Sequence, residues 1–226
     1  MKNNDELLAY ERLIREWQKK FNLVSRGDLE KIWVRHIGDS LKIYEIFPQL
    51  SFQNVIDVGS GAGFPGIPMS ILRPQVQFTL MEATAKKCAF LHAAIAELPL
   101  RNVTVVNGRA EDLGREEIHR EKHDLALTRA LAHPHSALEL VLPFARVGGA
   151  CVFWGSGPDW ENKSRIDKIA NILGGTLAQA KSYYLEGDPR ERKLFLVEKK
   201  IPRPQSIPGG RGFLKKIRSN KIRRRT

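Results

Sequence analysis

Residues 54–66, Asn-Val-Ile-Asp57-Val-Gly59-Ser-Gly61-Ala-Gly63-Phe64-Pro-Gly66, constrain the fold more than any other stretch of the chain. An apolar run with β-branched residues ends in four glycines spread over eight positions and passes into a segment compatible with a helix. That order reads as a strand, a tight turn and a helix N-terminus. Glycine is required where the backbone turns at positive φ or where a ligand approaches the main chain, and a helix start presents free N–H groups. A loop of this kind cradles a nucleotide-like cofactor.

The flanking sequence repeats the unit. Runs at 55–58, 76–81, 103–106, 124–128 and 150–154 read as strands, with helical patterns at 66–72, 84–98 and 136–142 between them. Thr84 is the expected N-cap of the longest of these helices, and Phe90, Leu91, Ala94, Ile95 and Leu98 its buried face. A further helix near 164–173 ends at Gly174-Gly175, and strands around 178–185 and 193–198 complete the sheet. Alternating strands and helices predict an α/β fold: a twisted, mostly parallel sheet with helices on both faces. Ahead of it, Tyr10, Leu13, Ile14, Trp17 and Phe21 fall at helical spacing, and a second helix is expected from Asp28, as N-cap, to just before Pro48. Residues 1–50 therefore read as a small helical cap, 51–199 as the cofactor-binding domain and 200–226 as a basic tail.

The charge is unevenly placed. Ten of the 37 Lys and Arg lie in 200–226, a segment without an acidic residue, so the body carries 27 basic against 25 acidic residues. A cationic arm on a near-neutral body suits contact with phosphates, which adds affinity and salt dependence without reading sequence. The two cysteines, Cys88 and Cys151, imply neither a disulfide framework nor a zinc site. With no signal-peptide pattern or membrane-length apolar run, the expected setting is the cytoplasm, with no membrane partner.

Two cofactor classes can claim the loop. Gly61-Ala-Gly63-Phe-Pro-Gly66 satisfies the dinucleotide fingerprint, with Glu82 at the end of the next strand to grip ribose hydroxyls. The glycine spacing starts earlier, however, at Gly59, with Asp57 just inside the strand. This acidic-x-Gly-x-Gly-x-Gly form is associated with S-adenosylmethionine, which has no pyrophosphate for a carboxylate to repel and has a cationic amino end for Asp57 to help position. The absence of a Tyr-x-x-x-Lys pair and of a Gly-Lys-Ser/Thr loop points the same way.

Four motifs in order are more specific: Trp17-Gln-Lys-Lys-Phe21-Asn22-Leu-Val-Ser, Val34-Arg35-His36-Ile-Gly-Asp39-Ser40, Asp57 through Gly66-Ile67-Pro68, and Thr128-Arg129-Ala130. Together they resemble the bacterial 16S ribosomal RNA guanine-7 methyltransferases, the glucose-inhibited division protein B family. The resemblance implies a class I S-adenosylmethionine-dependent methyltransferase fold with an antiparallel last strand. It implies methyl transfer to ring nitrogen seven of a guanine in a 16S ribosomal RNA loop near the decoding centre. By the same resemblance, Gly59 and Phe64 line the methionine and ribose side of the cofactor. Ala110 and Glu111 border the adenine, and Arg129 lies beside the cofactor and the entering base. Asp57, Gly61, Gly63 and Glu82 complete the expected cofactor site, and Arg129 is the catalytic candidate. The chain departs from the family in having Trp154-Gly155 where a Lys-Gly pair is usual.

The residue inventory agrees with that chemistry. An Asn/Asp-Pro-Pro-Tyr loop, suited to exocyclic amines, and a Pro-Cys or Thr-Cys loop, suited to pyrimidine carbon five, are both missing after the fourth strand. Guanine nitrogen seven already exposes a lone pair, so no general base is required. Expected partners are 16S ribosomal RNA or the small ribosomal subunit, with no DNA partner and a monomeric state. A methyltransferase for another RNA or a small molecule, and a non-catalytic RNA-binding or assembly factor, remain as alternatives.

Other residues carry plainer readings. His119 and His123, four apart among charged residues, are expected on a solvated face, without a metal. His36 and Asp39 are expected to hold the helical cap against the sheet. Trp17, Phe21 and Trp33 are expected in the core, and His133 and His135 in a loop.

Overall fold

The computed structural model describes residues 2–202, apart from 132 and 156. The chain runs through α1 (Lys2–Gln18), α2 (Arg26–Leu29), a π-helical turn (Trp33–Gly38), α3 (Asp39–Ile46), β1 (Asn54–Val58), α4 (Gly66–Leu72), β2 (Gln77–Glu82) and α5 (Ala85–Glu97). It continues through β3 (Val103–Asn107), α6 (Ala110–Leu113), β4 (His123–Arg129), α7 (Pro134–Val141), β5 (Ala145–Gly155), α8 (Lys163–Ile172), β6 (Gly175–Leu185) and β7 (Asp188–Lys199).

The strands form one sheet of order β3-β2-β1-β4-β5-β7-β6. The first five are parallel, and β7 runs antiparallel to both β5 and β6. Parallel strands covered on both faces show no alternation of polarity, and Val55, Ile56, Asp57 and Val58 are all buried. The edge strand β6, by contrast, exposes several of its residues.

Successive residues of each inner strand feed opposite layers. Ile56, Ala126, Cys151 and Phe153 pack beneath Leu138 of α7 and Ile166 of α8. Val55, Leu125, Leu127 and Val152 pack beneath Ile43 of α3 and Met69 of α4. Tyr10 and Ile14 of α1 share a cluster with Ile67, Leu80 and Phe90, so the N-terminal helices form part of the second layer. Trp17 stacks edge-on against Phe90 and Phe21, as expected of core aromatics. Both cysteines are free and buried.

Several local expectations are corrected. α1 stops at Gln18 and not near residue 21, because the Gln18 amide accepts from the N–H groups of Leu23 and Val24 (2.8 and 3.1 Å) and donates to the Val24 carbonyl (2.9 Å), turning the chain back. The second helix is not continuous from Asp28. Ser25 caps α2 by accepting from Asp28 N, and a π-helical turn intervenes before α3. Asp28 is thereby free to pair with Arg35 at 2.9 Å. Thr84 holds the N-cap position of α5 but makes no side-chain cap: its backbone carbonyl accepts from Lys87 N (2.9 Å) and Cys88 N (3.0 Å), and its own N–H donates to Glu82 Oε1 (2.8 Å). His119 and His123 do not share a solvated face: His119 lies in a turn, and His123 opens β4, buried, with Nδ1 3.0 Å from Asn54 Oδ1. Of the expected basic tail, residues 203–226 lie outside the described residues.

Candidate active site at the strand carboxyl ends

The turn after β1 is held by the next strand. Gly59 and Ser60 both donate to the carbonyl of Met81 in β2, at 2.8 and 2.9 Å. Gly59, Gly61 and Gly63 take φ of 76°, 60° and 90°, the left-handed region that side chains disfavour. A Cβ on Gly59 would lie 2.5 Å from Leu131 Cδ1, whereas one on Gly61 would meet only Gly59 O, at 3.9 Å. Gly61 therefore borders open space. Beside it, the Glu82 carboxylate accepts from Gly61 N (3.0 Å) and Thr84 N (2.8 Å), which anchors it at the end of β2. Ala110 and half-buried Glu111 begin α6 just beyond β3. The expected cofactor residues are thus gathered at the carboxyl ends of three neighbouring strands, where open α/β sheets bind ligands.

Asp57 lies beneath this turn. Its Oδ2 accepts from Gly66 N at 3.0 Å, at the start of α4, and its Oδ1 has no hydrogen-bond partner. The side chain is fully buried, and desolvation raises its pKa to about 7. Phe64 precedes a cis peptide to Pro65. Its ring is buried, centred 5.4 Å from that of Tyr10 and 4.9 Å from that of His36.

Arg129 ends β4 opposite Trp154 of β5. Ala130 follows at φ 55°, so the chain turns sharply there. The Arg129 guanidinium lies 5.0 Å above the Phe64 ring. It donates to Asp39 Oδ2 (3.1 Å) and to the Arg35 carbonyl (3.3 Å), and it pairs with His36 Nδ1. Asp39 is 1% exposed and also accepts from Tyr183 OH (2.6 Å) and Arg192 Nη1 (3.4 Å), while its carbonyl takes Trp154 Nε1 (2.9 Å). Asp39 is buried and His36 half-buried, and both bond to Arg129. Burial, followed by the Arg129 charge, lowers the His36 pKa to about 3, so the ring is neutral and accepts from Arg129 at Nδ1. The π-helical turn carries both Arg35 and His36, in keeping with the frequency of such turns at functional sites.

These side chains line a cleft of about 560 Å³ that includes Arg35, His36, Asp39, Arg129, Trp154 and Arg192. At its far side the buried carboxylate of Asp188 accepts from Arg190 (2.6 Å) and Arg192 (3.1 Å) and lies 3.3 Å from Arg35 Nε. The Arg190 hydrogen bond holds Asp188 well below the usual carboxylate range. Arg35, Tyr183, Asp188 and Arg192 were not expected as site residues. Only the charged run 188–192 hints at them, and nothing local says that the β6–β7 hairpin reaches β4. Trp154, where the resemblance leads one to expect lysine, is buried and anchors Asp39 through its indole N–H.

The comparisons with known proteins place the chain in a family. The family model "GidB: rRNA small subunit methyltransferase G" matches residues 3–171. The chain is 34% identical over 216 residues to the ribosomal RNA small subunit methyltransferase G of Clostridium botulinum (strain Kyoto / Type A2), covering 95% of this chain and 90% of the relative. It is 37% identical over 201 residues to the protein of the same name from Moorella thermoacetica, covering 88% and 83%. Among solved structures, TYW2 of M. jannaschii in complex with AdoMet superposes with a TM-score of 0.55 at 16% identity, over 79% of this chain and 78% of that one, a likeness of fold alone. A seven-stranded methyltransferase sheet, a family match over most of the length and relatives of this identity lead to one assignment: the chain belongs to the GidB family, the rRNA small subunit methyltransferases G.

Proposed function

We propose that the protein transfers a methyl group from S-adenosylmethionine to ring nitrogen seven of a guanine in a loop of 16S ribosomal RNA near the decoding centre. The observation that carries the reading is the position of Arg129. Its guanidinium is stacked on Phe64 of the glycine turn and bonded to Asp39 in the wall of the cleft, so one cation touches both the cofactor cradle and the substrate opening. Family membership supports ribosomal RNA as the substrate.

The residues present fit the cofactor. Gly61 opens onto unfilled space next to Glu82, whose carboxylate is fixed by two backbone donors where ribose hydroxyls would lie. Gly59 and Gly63 shape the turn, Phe64 backs it, and Ala110 and Glu111 would border the adenine. Asp57 would act from beneath the turn, through the Gly66 N–H it holds. When bound, S-adenosylmethionine supplies a sulfonium methyl group that a nitrogen lone pair can attack directly.

The chain's own task is then placement, charge and exclusion of water. His36 is neutral, Tyr183 keeps its proton and donates to Asp39, and Asp39 is engaged by Arg129, so these groups hold the guanidinium and leave proton transfer aside. That matches attack by guanine nitrogen seven, whose lone pair is free at neutral pH. The base must leave its stack to enter, which favours a loop or partly unfolded RNA. The protein is read as a monomer whose basic tail contacts phosphates, without a DNA or membrane partner. No helix among the described residues is long and apolar enough to cross a membrane.

The test is genetic and chemical. Ribosomal RNA from a strain lacking the gene is expected to lack one 7-methylguanosine, restored by the wild-type gene and not by Arg129→Ala. Full restoration by Arg129→Ala would remove Arg129 from the reaction, and an unchanged methylation pattern in the deletion strain would remove the substrate assignment.

A further inference from the structure

We infer that Tyr10 of α1 is a positioning residue for the glycine turn: its hydroxyl holds the Ala62 carbonyl and so sets the shape of the cofactor cradle. The inference rests on reading that turn as the S-adenosylmethionine site. Tyr10 OH donates to Ala62 O across 52 residues of sequence. Ala62 lies between Gly61 and Gly63, both at positive φ, so the hydroxyl grips the middle of the turn. The fit is close. A Cβ on Gly63 would lie 2.8 Å from the Tyr10 oxygen.

The surroundings distinguish this bond from ordinary packing. Tyr10 is wholly buried, with its ring against Phe64 and Phe90 and in one cluster with Ile14 and Ile67. Tyrosine in such a setting could be phenylalanine were the hydroxyl idle, because a buried polar group without a partner is unfavourable. Phe64 is the other link: its ring lies against Tyr10 on one side and His36 and Arg129 on another, so α1 braces the turn at two consecutive points, Ala62 and Gly63-Phe64. Of the N-terminal helices, α1 is thus an inner wall of the cofactor site.

The discriminating variants are Tyr10→Phe, which deletes one oxygen, and Ile14→Ala, which loosens the same buried helix face without removing a polar atom. Titration calorimetry with S-adenosylhomocysteine is expected to show affinity about five- to tenfold weaker for Tyr10→Phe, the size of one lost hydrogen bond. The KM for S-adenosylmethionine should rise by the same factor, with kcat at saturating cofactor kept. Ile14→Ala should lower the melting temperature and leave the affinity as in the wild type. An unchanged affinity for Tyr10→Phe, or an equal loss in both variants, overturns the inference. Failure of the wild type to bind S-adenosylhomocysteine is a different result, since it removes the cofactor reading itself.

Discussion

The two halves of the site are built from different materials. At the ends of β1, β2 and β3 the cradle is mostly backbone: three glycines at positive φ, two N–H groups on the Met81 carbonyl, and one carboxylate, Glu82, fastened by main-chain donors. At the ends of β4, β5 and β7 the cleft is side chains, with the carboxylates of Asp39 and Asp188 holding Arg129, Arg192, Arg190 and Arg35. The first half leaves no room for a side chain at Gly59 or Gly63. The second holds a set of guanidiniums by charge and tolerates little loss of it. Arg129 over Phe64 is where they meet.

If the halves are separable, two variants should damage them separately, and a third should show a pH-dependent gain. Gly59→Val is expected to have the largest effect. A β-branched residue would be forced to φ near 76°, with its Cβ 2.5 Å from Leu131 Cδ1, and affinity for S-adenosylhomocysteine should fall by about 100-fold or more. Calorimetric binding within a few-fold of wild type would show that the cradle does not depend on that backbone. Asp39→Ala leaves Arg129 and Arg192 without the carboxylate they share, and it should cost about 3 kcal/mol of stability by denaturant unfolding. Its affinity for S-adenosylhomocysteine should fall far less than in Gly59→Val, since only Arg129, bonded to Asp39 and stacked on Phe64, links the two halves. A matching loss of cofactor would make the halves one unit.

Per pH unit, Asp57 gives the smallest and most graded effect. Its pKa rises from 3.8 to about 7 on folding, so the native state binds the proton more tightly and this contribution to stability is lost as pH rises through about 7. His36 and His123, whose pKa values fall on folding to about 3 and about 4, change stability in the opposite sense over the acidic range. The clean measure is therefore a difference. Asp57→Asn, which resembles the protonated side chain, should gain stability relative to wild type between about pH 4 and pH 7, by at most about 1.4 kcal/mol per pH unit. A difference that stays flat with pH would mean that Asp57 is not the buried titrating group.

The contrast also explains what could be read in advance. The places of Asp57, Gly59, Gly61, Gly63 and Glu82 in the fold were legible because a strand, a turn and the end of the next strand fall within residues 57–82, and the turn is made of backbone conformations that only glycine adopts readily. Arg129 was legible as the last residue of a strand in a parallel sheet, which faces the ligand crevice. Local errors came from side chains acting on backbone. Gln18 ended α1 early, Ser25 and not Asp28 capped α2, and Glu82 accepted the Thr84 N–H at the start of α5.

What the sequence by itself determined was the α/β order, the glycine turn and the place of Arg129, because each follows from spacing and propensity over short stretches. Only the tertiary structure decided that Asp39, Tyr183 and Arg192 converge on Arg129 and that Tyr10 reaches Ala62. The hairpin of β6 and β7 must first pair antiparallel with β5, and α1 must pack beside Phe90, before groups as distant as residues 39 and 192 can share a hydrogen bond. Such contacts come from burial and sheet register, which no local pattern of residues encodes.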